Sequence, residues 1–240
     1  MRLKKIAFLV PRPGMDDEAF RAYWRGTHGP VVSGSPGYGE WRLRYVQNHV
    51  IGPGPVGGPF AFSGMAEFWL PGSSPNEDTF SQTPIYRDRI RVDEENFIDM
   101  DRTVSMAADE HSFRHGAGGV KVVILSGRRA GLSQEEFGRR YERHARRVLT
   151  DPGVDGVLSG WSANLVIPGT FRLPGARPAD ALAVDCVEQL WFASRHAADA
   201  AFASKSLNLG PAGDLFGERQ SFFAEEIVFF DIDRGGPLRG

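Results

Sequence analysis

The first half of this chain returns in its second half, and that repetition limits the fold more than any other feature. The short β-rich run Lys4 to Val10 is answered by Lys121 to Leu125. Each run is followed by a basic turn, Arg12-Pro13-Gly14 and Arg128-Arg129-Ala130-Gly131, and then by a helical pattern whose Phe20 and Phe137 stand 117 residues apart. Tyr45 to Val50 matches Trp161 to Val166 at a spacing of 116, and Met65 to Leu70 matches Val187 to Phe192 at 122, as Phe80 matches Phe202. A period of this length marks two copies of one supersecondary unit.

Each copy reads strand, helix, strand, strand, helix, strand. Asp16 and Ser133 stand at the two helix starts as N-caps, and Ser133 with Glu136 forms the pattern of a capping box. Phe20, Tyr23, Trp24 and Thr27 fall on one face of the first helix, as Phe137, Tyr141 and His144 do on the second. Gly29-Pro30 is expected to stop the first helix. Long loops, Gly52 to Pro59 and Pro168 to Pro178, join the middle strands, and the polar stretch Asp109 to Gly119 reads as the linker. The modules are placed at residues 1–112 and 119–234. A four-stranded sheet with helices on one face leaves its other face bare, so two such sheets should pack together. The expected fold is α+β: two ferredoxin-like βαββαβ modules forming an intramolecular barrel with helices outside and a cavity within.

Composition excludes several function classes. The 240 residues carry a net charge of −2, which gives no electrostatic footprint for nucleic acid. The arginines Arg139, Arg140, Arg143, Arg146 and Arg147 read as a solvated helix face. Cys186 is the single cysteine, so an internal disulfide, a four-thiolate zinc site and an iron–sulfur cluster are ruled out. The apolar run before Pro11 is too short for a signal peptide or a membrane span. A cytoplasmic location and no membrane partner are expected.

The helix Phe20-x-x-Tyr23-Trp24-x-x-x-His28-Gly29-Pro30 resembles the EthD signature, and Tyr45 to His49 and Ala66 to Trp69 are also similar to that family. The resemblance implies the dimeric α+β barrel fold. Relatives with that fold include polyketide cyclases, muconolactone isomerases, cofactor-free monooxygenases and haem enzymes, so the fold leaves the reaction open. The second copy departs from the pattern: His144 lacks a following Gly-Pro, and Leu165 stands where the first copy has His49. The site is therefore sought mainly in the first copy.

Strand alternation assigns faces. Met65, Glu67 and Trp69 are expected to point into the cavity, with Ala66, Phe68 and Leu70 toward the helices. Along the preceding strand the aliphatic Val46 and Val50 are assigned to the helices, which turns Tyr45, Gln47 and His49 inward. The second copy then contributes Trp161, Ala163, Leu165, Val187, Gln189 and Trp191. His49 is the candidate proton-transfer residue, Tyr45 or His28 the donor to a developing enolate, and Glu67 the group that orients His49 or acts itself if burial raises its pKa. Gln47, Trp69, Trp161, Leu165, Gln189 and Trp191 are the candidate substrate contacts.

Neither a nucleotide-binding loop nor a nucleophile elbow is present. The expected function is cofactor-free proton-transfer chemistry on a small aromatic or polyketide-like substrate: cyclisation, dehydration, decarboxylation or isomerisation. The alternatives are a cofactor-independent monooxygenase of phenols and a non-catalytic ligand-binding accessory protein. The assembly is expected to be a monomeric pseudo-dimer or a homodimer of it.

Overall fold

The computed structural model describes residues 2–58, 60–116, 118–169, 173–203 and 215–238. Pro59 and residues 170–172 of the two middle loops, and Ala117 of the expected linker, lie outside these residues.

The first copy runs β1 (Arg2–Leu9), α1 (Asp17–Tyr23), α2 (Gly29–Ser33), α3 (Tyr38–Trp41), β2 (Arg44–Pro53), β3 (Gly64–Trp69), α4 (Arg91–Glu94) and β4 (Val104–Arg114). The second runs β5 (Val120–Arg128), α5 (Gln134–Leu149), α6 (Pro152–Asp155), β6 (Leu158–Ile167), β7 (Cys186–Phe192), α7 (Arg195–Ala203) and β8 (Phe216–Asp231), and a two-residue β9 (Gly236–Pro237) closes the order. The sheet order is β2-β3-β1-β4-β6-β7-β5-β8-β9, and β2 also pairs with β8. Eight strands therefore close into a ring in which every ladder is antiparallel. Closure removes the strand edges that either module alone would expose.

The two seams are copies of each other. Ala108 faces Val166 across β4–β6, and Val50 faces Ala224 across β2–β8. The spacing of 116 residues thus holds for the ladders between modules as well as within them. These seams lengthen the last strand of each copy. Asp109 to Arg114, expected as linker, is the second half of β4, because its backbone pairs with β6.

Three apolar clusters follow from this plan. Phe20, Trp24, Tyr45, Ala66 and Phe97 join the first sheet to its helices. Phe137, Tyr141, Trp161, Leu190 and Phe223 do so for the second. Ile6, Phe8, Met65, Met106, Val123, Leu125 and Phe222 fill one end of the barrel interior. Each large side chain so buried contributes roughly 1.5–3 kcal/mol.

The caps form as expected: Asp16 accepts from the Ala19 N–H at 2.8 Å and Ser133 from the Glu136 N–H at 3.2 Å. The Glu136 side chain, however, does not complete the box; it pairs with Arg139 and Arg140 on the exposed face. Gly29-Pro30 does not stop the first helix either. A π turn, Trp24–His28, carries it into α2. Pro30 sits in the first turn of that continuation, where a missing N–H is tolerated. Gly29 is required there, since a Cβ would stand 2.3 Å from the Phe229 ring.

Candidate functional site

The end of the barrel interior opposite the apolar cluster is polar, and its floor is an ion-pair network. In β1, Lys4 is in phase with Ile6 and Phe8; in β5, Lys121 is in phase with Val123 and Leu125. Both ammonium groups reach Glu67 on β3: Lys4 at 2.9 Å on Oε1 and Lys121 at 3.1 Å on Oε2. Lys4 also binds Glu110 at 2.6 Å and Lys121 binds Glu226 at 2.8 Å. Asn48 donates to Glu67 Oε2 at 2.8 Å and accepts from Lys121 at 2.7 Å, and Gln189 donates to Glu67 Oε1 at 2.5 Å. Burial opposes ionisation of Glu67, but the two lysines outweigh it and hold the carboxyl far below its usual range. Lys121 is likewise kept protonated, against its burial, by Glu226 and Glu67. Glu67 is therefore a saturated anion and not a base of raised pKa.

Above this floor the barrel opens into a cavity of about 450 Å³ lined by Arg2, Arg44, Trp69, Glu110, Ser112, Arg114, His115, Gly116, Ser162, Gln189, Trp191 and Glu226. Trp69 and Trp191 occupy equivalent places in the two copies, each beside a lysine: Lys4 lies 3.9 Å from one indole centre and Lys121 4.8 Å from the other. Three expected substrate contacts, Trp69, Gln189 and Trp191, line this cavity. Lys4, Lys121, Asn48, Glu110, Glu226, Arg44 and Arg2 were not singled out from the sequence. Their signal was present, because Lys4 and Lys121 recur at the repeat's own spacing of 117 and Glu110 and Glu226 at 116.

Tyr45, Gln47 and His49 do not face the cavity. They point to the helices, and Val46, Asn48 and Val50 point inward, the reverse of the sequence reading. The ladder shows why: Val46 stands opposite Glu67 and Asn48 opposite Met65, and directly paired residues share a face. Tyr45 stacks on Phe68 at 4.8 Å, and the His49 ring lies 4.5 Å from Trp24. Gln47 links them: its Nε2 donates to the Tyr45 hydroxyl at 2.8 Å and to the Trp24 carbonyl at 2.9 Å, and its Oε1 is 2.8 Å from His49 Nε2. Glu67 thus cannot orient His49, since the sheet separates them. Burial, reinforced by Arg25 and Arg21, lowers the His49 pKa to about 4, so the ring is neutral at pH 7.

His28 ends the π turn on the same outer face, with Nδ1 2.7 Å from Asp93, which also accepts from Tyr23 at 2.7 Å. Burial lowers the His28 pKa although Asp93 opposes it. Nε2 of His49 is held by Gln47, and Phe97 lies 4.8 Å from His28. Among the described residues no group of three His, Cys, Asp or Glu side chains could hold a metal.

The same reversal holds in the second copy. Trp161 and Leu165 turn to α5: Trp161 packs on Phe113 at 5.6 Å and Leu165 approaches Gly138. Ser162 and Asn164 take the inward places, paired with Gln189 and Val187. The outer face here has its own buried carboxylate, Glu188, which accepts from Tyr141, Ser126 and Arg219, each at 2.8 Å.

With this geometry the chain matches the EthD domain family twice, at residues 12–101 and 129–212, once in each copy. The chain belongs to the EthD family. A search of curated proteins gave no match. Solved structures share the dimeric α+β barrel. An anthrone oxidase-like protein superposes with a TM-score of 0.60 at 7% identity, over 95% of this chain and 93% of that one. A presumed monooxygenase from Lactobacillus acidophilus NCFM gives 0.57 at 10% identity, over 95% of both chains. A presumed chlorite dismutase gives 0.53 at 8% identity, over 95% and 96%. At such identities the likeness is one of fold. No helix among the described residues is long and apolar enough to cross a membrane.

Proposed function

We propose that this EthD-family chain is a small-molecule enzyme that moves protons on an aromatic or polyketide-like substrate held at the polar mouth of the barrel. The observation that carries this reading is the cavity of about 450 Å³ between Trp69 and Trp191. It sets two indole rings among charged and polar groups that can fix the orientation of a ligand. Glu110 is the candidate proton acceptor. It is partly exposed at the mouth and is positioned by Lys4 on one oxygen and by the Trp69 indole N–H on the other, at 2.9 Å. Arg44 and the Trp191 N–H are the candidate donors to a developing enolate oxygen. Cyclisation, dehydration, decarboxylation and isomerisation all draw on this pair of functions.

A second placement of the chemistry is favoured by one observation. The linked sets His49–Gln47–Tyr45 and His28–Asp93–Tyr23 occur on the outer face of the first copy, whereas the second copy has Leu165, Ala163 and Trp161 at the β2 positions. Oxygen chemistry is the alternative reaction that the names of two neighbouring folds, a monooxygenase and an anthrone oxidase-like protein, support, and binding without turnover is a third reading.

A screen of aromatic β-keto compounds, followed by variants, separates these. We expect Glu110→Gln to lower kcat by roughly 10²–10⁴-fold and Trp69→Ala to raise KM, with His49→Ala within about threefold of the parent. Full activity in Glu110→Gln with loss in His49→Ala would move the site to the outer face. Oxygen consumption would identify the monooxygenase.

A further inference from the structure

The two halves of the mouth are built from equivalent residues but are not equally satisfied. In the first copy the Trp69 indole N–H donates to Glu110, and Arg44 lies 5.0 Å over the ring. In the second copy the partner equivalent to Glu110 is Glu226. That carboxylate is drawn to Lys121 at 2.8 Å, with Arg44 at 3.8 Å. The Trp191 N–H is therefore buried with no hydrogen-bond partner. A buried donor left unpaired is costly, and this one belongs to a residue that lines a cavity.

The covering group is missing as well. Gly160 occupies the place equivalent to Arg44, and a Cβ there would stand 2.5 Å from the Gly116 carbonyl and 3.1 Å from the Trp191 ring. No side chain at position 160 can cover Trp191 as Arg44 covers Trp69. Charge points the same way. Among the described residues, Arg2, Arg44 and Arg114 at the mouth and Lys4 and Lys121 beneath it face Glu110, Glu226 and Glu67, and Asp231 is shared by Arg44 and Arg234. Both mouth carboxylates are already engaged by a buried lysine, so the outer ring is led by guanidinium groups.

We infer that the mouth binds a planar aromatic anion, an arene carboxylate or its enolate equivalent, with an anionic oxygen accepting from the Trp191 N–H on the second-copy side. This rests on the mouth reading given above and narrows it to a substrate class and an orientation. An anion answers the positive excess at this end of the barrel, and its oxygen completes the Trp191 indole, which, unlike the equally unpaired Trp161 on the outer face, belongs to a residue lining the mouth. The first-copy half, already complete, serves as the fixed wall.

The test uses 2-naphthoate and 2-naphthamide as probes, titrated calorimetrically against the full chain and against Trp191→Phe and Trp69→Phe. Phenylalanine keeps a ring and removes only the donor and the second ring, so the fold should hold, which circular dichroism checks. Naphthoate should bind at least tenfold tighter than the amide. Trp191→Phe should weaken naphthoate by about tenfold or more, the factor carried by a hydrogen bond to a charged group. Trp69→Phe, which trims a wall of the same mouth but removes a donor already used by Glu110, should weaken it by a clearly smaller factor than Trp191→Phe. Equal binding of acid and amide, or equal losses in the two variants, would overturn the inference while leaving the mouth as a binding site. Binding that neither variant alters, or no binding of either probe, would overturn the inference and take the mouth reading with it.

Discussion

Around the barrel centre the two copies carry the same residue at Lys4 and Lys121, at Asn48 and Asn164, at Trp69 and Trp191, and at Glu110 and Glu226. They differ where Glu67 faces Gln189. The amide donates to the carboxylate at 2.5 Å, so the two side chains meet across the pseudo-twofold axis. A homodimer of one module would place two glutamates or two glutamines there. Two carboxylates at contact distance repel, and one would have to hold a proton. Fusion of the copies lets one side be acid and the other amide, and a single anion then serves both lysines. Divergence between the copies thus begins at the axis, where symmetry is least tolerable, and continues to the mouth and the outer faces.

The largest effect is expected at that axis. Glu67→Gln should destabilise the protein by about 3 kcal/mol, the low end for breaking a buried ion pair, because each lysine keeps a second glutamate. Gln189→Glu should also destabilise it. The exchange of both, Glu67→Gln with Gln189→Glu, should recover at least half of the summed loss, since the flanking lysines are related by the same axis. Urea unfolding of the four proteins checks this; a double variant no better than the sum would mean that the two sides are not equivalent. The pH dependence has a definite sign. Glu67 has a depressed folded pKa, so its contribution is present above its usual 4.5 and is lost as pH falls below that value. Glu67→Gln should flatten this acid limb.

A smaller effect separates the outer faces. Glu188 of the second copy has Arg219 at 2.8 Å, whereas Glu94 of the first copy accepts from Tyr86 at 2.9 Å with Arg91 only at 3.7 Å. Burial pushes the Glu94 carboxyl up to about 7. Here the folded state holds the proton more tightly, so stability should fall as pH rises from about 4.5 through 7. Glu94→Gln should remove that fall and stabilise the protein at pH 8 by about 1–3 kcal/mol relative to the parent. Unfolding at pH 5 and pH 8 measures it, and equal slopes in parent and variant would refute it.

The smallest effect concerns the indoles. Trp69→Phe removes a donor from an ionised glutamate and should cost about 1–2 kcal/mol beyond the change in ring size. Trp191→Phe removes a donor that has no partner, so that extra cost should be under about 0.5 kcal/mol. Thermal melts without ligand compare them; equal shifts would mean that the Trp191 N–H is satisfied in the protein.

Much of the fold could be read from the chain. The repeat, the order of elements, the caps at Asp16 and Ser133, and the inward faces of Glu67, Trp69, Gln189 and Trp191 all follow from spacing and alternation. The inward set of β2 did not. Tyr45, Val46, Gln47, Asn48 and His49 are all essentially buried, because helices cover one face of the sheet and the barrel interior lies on the other. When both faces are buried, hydrophobicity along a strand no longer says which face is which. Valines against the helices and valines in the barrel interior are therefore equal alternatives on sequence alone, and they differ by the reversal of every side chain of the strand.

The linear chain contains the period, the alternation within each strand and the types of residue that recur. Those are local properties, set by chemistry a few residues apart. The phase of β2 against β3, the meeting of Lys4 with Lys121 around one carboxylate, and the unpaired indole at Trp191 belong to the closed barrel. Each depends on ladder register, and register is fixed by hydrogen bonds and packing between segments far apart in the chain. Residues 4, 67, 121 and 189 become one ion-pair centre only when the second seam closes, and no spacing along the sequence records that closure.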